Sequence, residues 1–173
     1  MKELELGGNK VIPIKMANSF CAAKWYMVTM HLAQGETHSC YHPWTHKVPV
    51  EEVLANPGAI HNTIYKKSQR KLMLEGERPK ECEYCWKVED IGRNNISDRV
   101  YKTEIFKDED IVKAGTMPWE EDVMLRTLEI SFDRTCNFAC SYCNPAFSTT
   151  WVKDIKKFGA YRNILSDGRG HFV

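Results

Sequence analysis

The sequence has no long hydrophobic run. Nowhere among its 173 residues are there about 18 consecutive apolar residues, the length that a membrane-spanning helix requires. The first eight residues, MKELELGG, lack the apolar centre of a signal peptide. The chain also has no excess of charge, since 24 Lys and Arg residues face 23 Asp and Glu residues. We therefore expect a cytoplasmic protein with no membrane partner and no clear nucleic-acid partner.

Several sequence features of common enzyme classes are also missing. The chain has no internal repeat, no low-complexity tract, no glycine-rich loop that would cradle a phosphate and no pattern that indicates a nucleophile triad. Its seven cysteines cannot all be paired in disulfides, because their number is odd. In a reducing compartment such cysteines are more often metal ligands or catalytic groups than bridges. The cysteines are therefore the first candidates for chemistry.

Three cysteines lie close together in the segment CNFACSYC, with the spacing CxxxCxxC. Cys136, Cys140 and Cys143 can hold three irons of a four-iron cluster and leave the fourth iron without a protein ligand. Thiolates favour iron–sulfur clusters or zinc over harder metals. A structural zinc site normally has four ligands, so three cysteines fit zinc less well. The preceding segment 125–132, LRTLEISF, is predicted to be a strand.

At these residues the chain resembles the radical S-adenosylmethionine (radical SAM) superfamily, whose signature is CxxxCx(aromatic)C, with Tyr142 in the aromatic place. The resemblance implies a loop after the first strand of a partial (β/α) barrel, a catalytic 4Fe-4S cluster and bound S-adenosylmethionine. It also implies that one electron from the cluster cleaves S-adenosylmethionine to a 5′-deoxyadenosyl radical. Tyr142 would lie against the adenine, and a flavodoxin or ferredoxin would be the low-potential electron donor. The other interpretation is a zinc knuckle or a buried thiol cluster.

Four cysteines remain after this motif is removed, the number that closes one cubane cluster or one tetrahedral zinc site. Strands are predicted over 24–32 and 37–41, with a turn at Gly35, and this hairpin can bring the first two of the four together. The other two form a CxxC motif at the start of a predicted helix, 86–90, and can bind one metal from a single turn. The four residues are Cys21, Cys40, Cys82 and Cys85.

The spacing CX13GX4C over 21–40 resembles the opening of the SPASM and twitch domains, which carry auxiliary clusters beside many radical SAM cores. The chain has fewer cysteines after its CxxC motif than the full SPASM pattern, so twitch-like is the closer description. Here the region precedes the radical SAM motif, whereas it usually follows. The resemblance implies a second 4Fe-4S cluster at these four cysteines. Structural zinc is the alternative.

The remaining patterns predict helices and packing. Helices are expected over 50–55, 59–75, 97–106 and 148–158, and the second should bury an apolar stripe made of Ile60, Ile64, Leu72 and Met73. Three histidines surround Cys40 and can form a zinc site with it, although polar packing is the preferred interpretation. They are His38, His42 and His46. A fourth, His31, is expected in the core or at a sheet edge.

The predicted fold class is α+β: a β-hairpin and helices, followed by the first strand–loop–helix of a partial (β/α) barrel. We predict a twitch-like region over 1–106, a linker over 107–124 and the start of a radical SAM core over 125–173. Only 30 residues (144–173) follow the third cysteine of the motif, whereas a closed barrel has about 250. The expectation is therefore an incomplete core, inactive by itself.

Two function classes follow. The first is a radical SAM iron–sulfur enzyme, of a superfamily that often modifies peptides or proteins. The second is a non-catalytic, cysteine-rich zinc module that binds another macromolecule. The aromatic residue at Tyr142, the strand before Cys136 and the position of Gly35 all favour the first.

Overall fold

A computed structural model describes residues 3–6, 10–13, 18–92, 95–145 and 147–159 of the chain. Six strands and seven α-helices lie within these residues, so the fold is mixed α+β, as predicted. The chain divides into two compact units, Met1–Ile130 and Ser131–Val173. None of the helices in the described ranges is long and apolar enough to cross a membrane.

The strands form two sheets. One is an antiparallel hairpin of β1 and β2, and the other has four strands in the order β5, β4, β3, β6. The strands are β1 (Glu3–Leu6), β2 (Lys10–Pro13), β3 (Met27–His31), β4 (Glu36–His38), β5 (His46–Lys47) and β6 (Thr127–Ser131). The predicted hairpin over 24–41 is confirmed as β3 and β4, and Gly35 turns it with a φ of 62° that residues other than glycine adopt with difficulty.

The helices are mostly short. They are α1 (Ala23–Tyr26), α2 (Val50–Ala55), α3 (Ile64–Leu74), α4 (Glu83–Asp90), α5 (Asp98–Glu104), α6 (Asp108–Thr116) and α7 (Thr149–Phe158). Two 3-10 turns, Pro57–Ile60 and Lys80–Cys82, precede α3 and α4. The side chain of Thr63 caps α3 by accepting a hydrogen bond from the Lys66 amide. Gly159, with a φ of 86°, follows the end of α7.

The core of the first unit contains large side chains from α1, α3, α4 and α6. Its large side chains include Phe20, Trp25, Tyr26, Met73, Trp86, Phe106 and Ile111. The rings of Phe20 and Trp25 lie 4.9 Å apart and are tilted by 33°, an arrangement that aromatic pairs favour. Several cysteines share this core, so the packing that stabilises the unit also positions their thiols.

The strand predicted to begin at residue 24 begins at Met27 instead, because the preceding residues form the helical turn α1. Trp25 and Tyr26 are both buried. In a strand, consecutive side chains point to opposite faces, whereas a helical turn allows both aromatic rings to reach the core. The amide of Tyr26 closes the turn on the Ala22 carbonyl at 3.0 Å.

The apolar stripe predicted for 59–75 is wrong in part. Ile64 is 67% exposed, whereas Lys66 and Arg70 are buried beside Met73. Arg70 is buried because its guanidinium donates to the Lys24 carbonyl at 3.1 Å and to the Asn62 side-chain oxygen at 2.8 Å. Hydrogen bonding offsets the cost of burying such a group. A polar network therefore takes the place of the expected apolar contact.

The segment predicted as a linker, 107–124, is folded into the first unit. It contains α6, whose Ile111 and Ala114 are fully buried, and the amide of Val123 donates to the Asn62 side chain at 3.0 Å. The acidic residues that suggested a linker are in the first turn of α6, where the helix dipole favours negative charge. The division into the domains 1–106, 107–124 and 125–173 stays a prediction.

Candidate functional site

The four cysteines outside the CxxxCxxC motif line one cavity in the first unit. Cys21 precedes α1, Cys40 follows β4, Cys82 ends a 3-10 turn and Cys85 is in α4, and all four line a space of about 20 Å³. Three segments of the chain that are far apart in sequence therefore converge on one point. The four cysteines that their number, the hairpin and the CxxC motif grouped in the sequence thus line the same space, and their role as ligands of one centre stays a prediction.

Local geometry explains how the CxxC motif faces this cavity. Cys82 and Cys85 are three positions apart across the start of α4, so their side chains lie on the same face of the turn. The amide of Cys82 donates to the Pro79 carbonyl at 3.0 Å, and the indole nitrogen of Trp86 donates to the same carbonyl at 2.8 Å. These two bonds fix the turn on which the motif lies.

Three cationic side chains also line the cavity: Lys24, Arg99 and Lys102. Each one has an acidic partner. Lys24 forms a buried ion pair with Glu81, the guanidinium of Arg99 donates to Glu89 at 2.6 and 2.8 Å, and the ammonium of Lys102 lies 3.4 Å from Asp98. The cysteines therefore face three cationic groups, each of which is paired with a carboxylate outside the cavity lining.

The environment raises the pKa of the buried thiols. Burial, followed by the charges of Cys40 and Cys82, raises the pKa of Cys21 to about 12, and burial raises the pKa of Cys82 to about 11. Burial also raises the pKa of Cys85. These thiols are therefore protonated at neutral pH when no metal is bound, and a metal ion would displace their protons.

The lysines beside the thiols stay charged although they are shielded from water. Burial lowers the pKa of Lys24, but the charge of Cys82 in its thiolate form and the charge of the Glu81 carboxylate outweigh that effect and raise it. The same balance holds for Lys102, where the charge of Cys40 is the largest effect that opposes burial. Ammonium groups in this position would offset the negative charge of a centre held by four thiolates.

The CxxxCxxC loop is in the second unit, between β6 and α7. The predicted strand 125–132 is confirmed in shorter form as β6, and the predicted helix 148–158 is confirmed as α7. The Cys143 amide donates to the Cys140 carbonyl at 3.0 Å, which closes a turn between the last two cysteines. The strand–loop–helix arrangement predicted for this motif is therefore present.

The start of α7 holds the loop by hydrogen bonds to its backbone. The hydroxyl of Thr150 donates to the Cys136 carbonyl at 2.6 Å, and the indole nitrogen of Trp151 donates to the Cys140 carbonyl at 3.1 Å. Before the loop, the Asp133 carboxylate accepts from the Arg134 amide at 2.6 Å. The sulfur of Cys136 also accepts a hydrogen bond from the Phe138 amide at 3.4 Å, so both backbone and thiol contacts hold the loop.

The loop differs from the cavity in its access to solvent. Tyr142 is 90% exposed, and the three thiols are partly exposed. A hydrogen bond with Cys140 raises the pKa of Tyr142, and the charges of Cys140, Cys143 and Cys136 act in the same direction. The phenol therefore interacts with the Cys140 thiol. The placement of its ring against an adenine stays a prediction.

The donor sets fit a thiolate-bound centre in chemistry, since soft thiol ligands are what iron–sulfur clusters and zinc prefer. Within the described part of the chain, however, no group of three or more His, Cys, Asp or Glu side chains is arranged to hold a metal ion as it stands. The assignment of all seven cysteines as ligands therefore stays a prediction.

The histidines near Cys40 are directed to three different places. His38 contacts His31 through their Nε2 atoms at 3.2 Å, His42 contacts the Asp98 carboxylate at 2.7 Å, and the third, His46, contacts the Thr63 hydroxyl at 3.1 Å. His42 alone among them lines the cysteine cavity. These contacts agree with the preferred interpretation of polar packing.

Sequence reasoning missed the charged wall of the cavity. Lys24 follows Cys21 by three positions in an otherwise apolar segment, and this was the available signal for a buried, paired lysine. Lys102 gave no comparable signal, because its approach to the cavity depends on the packing of α5.

Comparison with family models, curated proteins and solved structures finds no match to this chain.

Proposed function

We propose that this chain is part of a radical SAM iron–sulfur enzyme, with a catalytic cluster at the CxxxCxxC loop and an auxiliary cluster at the four-cysteine cavity. One observation carries the proposal: the seven cysteines fall into two groups, one lining a cavity and one in a loop between a strand and a helix. The sequence resemblance at the loop supplies the reaction class.

In this proposal Cys136, Cys140 and Cys143 hold three irons of a 4Fe-4S cluster. When bound, the cluster supplies the electron that cleaves S-adenosylmethionine to a 5′-deoxyadenosyl radical. The chain's own residues hold the loop: Thr150 and Trp151 bind its carbonyl oxygens. The exposed ring of Tyr142 offers a surface for the adenine of the nucleoside.

The four-cysteine cavity would hold a second 4Fe-4S cluster through Cys21, Cys40, Cys82 and Cys85. Lys24 and Lys102 would stabilise its negative charge from the cavity wall. A peptide or protein is the proposed substrate, a flavodoxin or ferredoxin the proposed electron donor and the cytoplasm the proposed location.

Structural zinc is the second candidate for the cavity. Its volume of about 20 Å³ is enough for roughly one water-sized occupant, which is closer to one ion than to a cubane. Four cysteines also complete a tetrahedral zinc site. In that case the first unit would be a zinc-bound interaction module, and the loop alone would carry the redox chemistry.

The test is to count iron, acid-labile sulfide and zinc per chain after oxygen-free purification and reconstitution. We expect about eight irons and eight sulfides for two 4Fe-4S clusters. A variant with all three loop cysteines changed to Ala should keep about half of the iron, and a Cys82→Ala, Cys85→Ala variant should keep the other half.

Three results would contradict all or part of the proposal. Iron that is unchanged in the triple-Ala variant would show that the loop holds no cluster, and the radical SAM assignment would then lose its support. About one zinc per chain with iron only at the loop would replace the auxiliary cluster by zinc. About one zinc with little iron anywhere would favour the interaction module.

A further inference from the structure

One wall of the four-cysteine cavity is an irregular segment of the chain. The segment 39–45 joins β4 to β5 and contains neither helix nor strand; we call it the strap. Apart from Cys21, the lining residues outside the strap are in helices or in the 3-10 turn Lys80–Cys82. The lining residues of the strap are Ser39, Cys40, His42 and Pro43.

The strap is exposed to solvent, whereas the thiols in the cavity are mostly buried. Tyr41 and Trp44, both in the strap, have exposed rings, but Cys21, Cys82 and Cys85 are buried. A thiol reagent in solution therefore cannot reach these three sulfurs unless one wall of the cavity moves. Loops open at a lower free energy than helices that pack in a core. The strap is thus the wall that opens most easily.

The two ends of the strap are fixed beside each other on the four-stranded sheet. The strands that flank it, β4 and β5, are paired antiparallel. The hydroxyl of Thr45 donates to the Glu36 carboxylate at 2.7 Å, and the Nδ1 atom of His38 is 3.2 Å from the Pro43 carbonyl oxygen. Because its ends are anchored close together, the middle of the strap can move without a change in the strands.

The middle of the strap is held by side chains of α4 and α5. The Nε2 atom of His42 is 2.7 Å from the Asp98 carboxylate, which accepts its hydrogen bond. The same imidazole stacks on the ring of Tyr84, with centroids 4.0 Å apart and planes tilted by 10°. The ammonium of Lys102 lies 3.7 Å from the centre of the Tyr41 ring, a cation–π contact. Two helices therefore hold the strap closed.

We propose that the strap is a gate that controls access to the four-cysteine cavity, and that His42, held between Asp98 and Tyr84, is its latch. Opening breaks the latch contacts and exposes the buried thiols, and closing returns Cys40 to the cavity wall. The gate itself does not depend on what the cavity binds. In the proposed function Cys40 is a ligand, so a bound centre would also hold the gate closed; this consequence alone rests on the proposed function.

The alternative is a rigid cover that leaves the cavity only when the whole first unit unfolds. The two cases differ in the surface that becomes exposed when the thiols react. Local opening of seven residues exposes little surface, so its equilibrium depends weakly on urea, whereas global unfolding depends on urea steeply. The rate at which a buried thiol reacts with a reagent in solution reports which opening occurs.

The experiment is a time course of iodoacetamide labelling on the reduced, metal-free chain, read by mass spectrometry after digestion with trypsin. Cys21 is the reporter, because its tryptic peptide 16–24, MANSFCAAK, contains no other cysteine. Below the unfolding transition, the labelling rate of Cys21 should be nearly independent of urea. A rate that rises with urea as steeply as global unfolding would overturn the proposal.

Variants test the latch. Tyr84→Ala removes the stacked ring and should raise the labelling rate of Cys21 about fivefold, and Asp98→Asn should raise it as well, because it weakens the bond to His42.

Tyr101→Ala is the matched control. It makes the same substitution at a tyrosine of α5 that is 57% exposed, against 49% for Tyr84, and it should leave the Cys21 rate unchanged. The thiols of the CxxxCxxC loop should react at the same rate in all three variants, which controls for the reagent. Equal Cys21 rates in Tyr84→Ala and Tyr101→Ala would contradict the latch.

Discussion

The four-cysteine cavity and the three-cysteine loop present the same ligand atom in two different environments. In the cavity the thiols come from separate segments, are mostly buried and face Lys24, Arg99 and Lys102. In the loop the thiols come from eight consecutive residues and are partly exposed, with hydrogen bonds from α7 to the backbone beside them. The first site depends on tertiary packing and the second on local structure.

This difference suggests two different roles for bound metal. A centre whose ligands come from distant segments cross-links the fold, so its binding free energy adds to the stability of the first unit. A centre in one exposed loop adds little to stability but is open to small molecules. In the proposed function, the cavity would therefore have a mainly structural or electron-relay role and the loop a reactive role.

The largest expected effect comes from removing one cysteine from each site. Cys82→Ala should lower the stability of the metal-loaded chain by about 4 kcal/mol if metal is present at about a thousand times its Kd. Cys140→Ala should change it by less than about 0.5 kcal/mol, as is usual for exposed positions. Thermal and urea unfolding of the loaded protein measure both.

The metal-free protein is the control for this pair. Without metal, Cys82→Ala removes only a buried thiol and should cost about 1 kcal/mol. Equal destabilisation by the two variants in the loaded state would contradict the proposed difference between cavity and loop.

The electrostatics of the cavity predict a second, somewhat smaller effect. Glu81→Gln removes the charge that faces the buried ammonium of Lys24, and leaving one buried charge uncompensated should cost about 3 kcal/mol. Urea unfolding of the metal-free chain measures the change. Because the pair is buried, its loss should lower the free energy of unfolding far more than the loss of an exposed ion pair.

Glu83→Gln is the matched control, since it makes the same substitution one residue to the other side of Cys82. Glu83 pairs with Lys87 at 3.2 Å, and both side chains are largely exposed, so the change should cost at most about 0.5 kcal/mol. Similar losses of stability in the two variants would show that other groups stabilise the charge of Lys24 when the Glu81 carboxylate is removed.

The sequence allowed the local parts of this structure to be predicted. The alternation before the motif predicted β6, the amphipathic segment before Gly159 predicted α7, and Gly35 marked the hairpin turn. Each of these depends on residues within a few positions of one another. The cysteine count also predicted the grouping around the cavity, because four ligands complete one centre.

What depends on distant partners could not be predicted. Lys66 and Arg70 had the pattern of an exposed helix face, but both are buried and hydrogen-bonded. Lys66 donates to the Thr37 hydroxyl, and Arg70 donates to the Lys24 carbonyl and the Asn62 side-chain oxygen. The acidic start of α6 suggested a linker, although Ile111 is buried further along the same helix. Short polar segments carry no local signal that distinguishes a solvated surface from a satisfied interior.

The smallest expected effect compares two tryptophans that make the same kind of bond in the two regions. Trp86→Phe removes an indole donor from the Pro79 carbonyl behind the cavity, and Trp151→Phe removes one from the Cys140 carbonyl of the loop. Trp86 is buried, so water cannot replace the lost donor, although the Cys82 amide still donates to the same carbonyl. The change should therefore cost about 1.5 kcal/mol of global stability.

Trp151→Phe should cost less than about 1 kcal/mol in the same unfolding measurement, because water can reach a partly exposed loop and replace the lost donor. Its effect should instead be local. The Cys143 amide, which donates to the Cys140 carbonyl at 3.0 Å, should exchange its hydrogen several times faster in Trp151→Phe and at an unchanged rate in Trp86→Phe under conditions where the fold is intact. If Trp151→Phe destabilised the chain as much as Trp86→Phe, the loop would be part of a cooperative core, because only a site held by tertiary packing loses global stability when one peripheral hydrogen bond is removed.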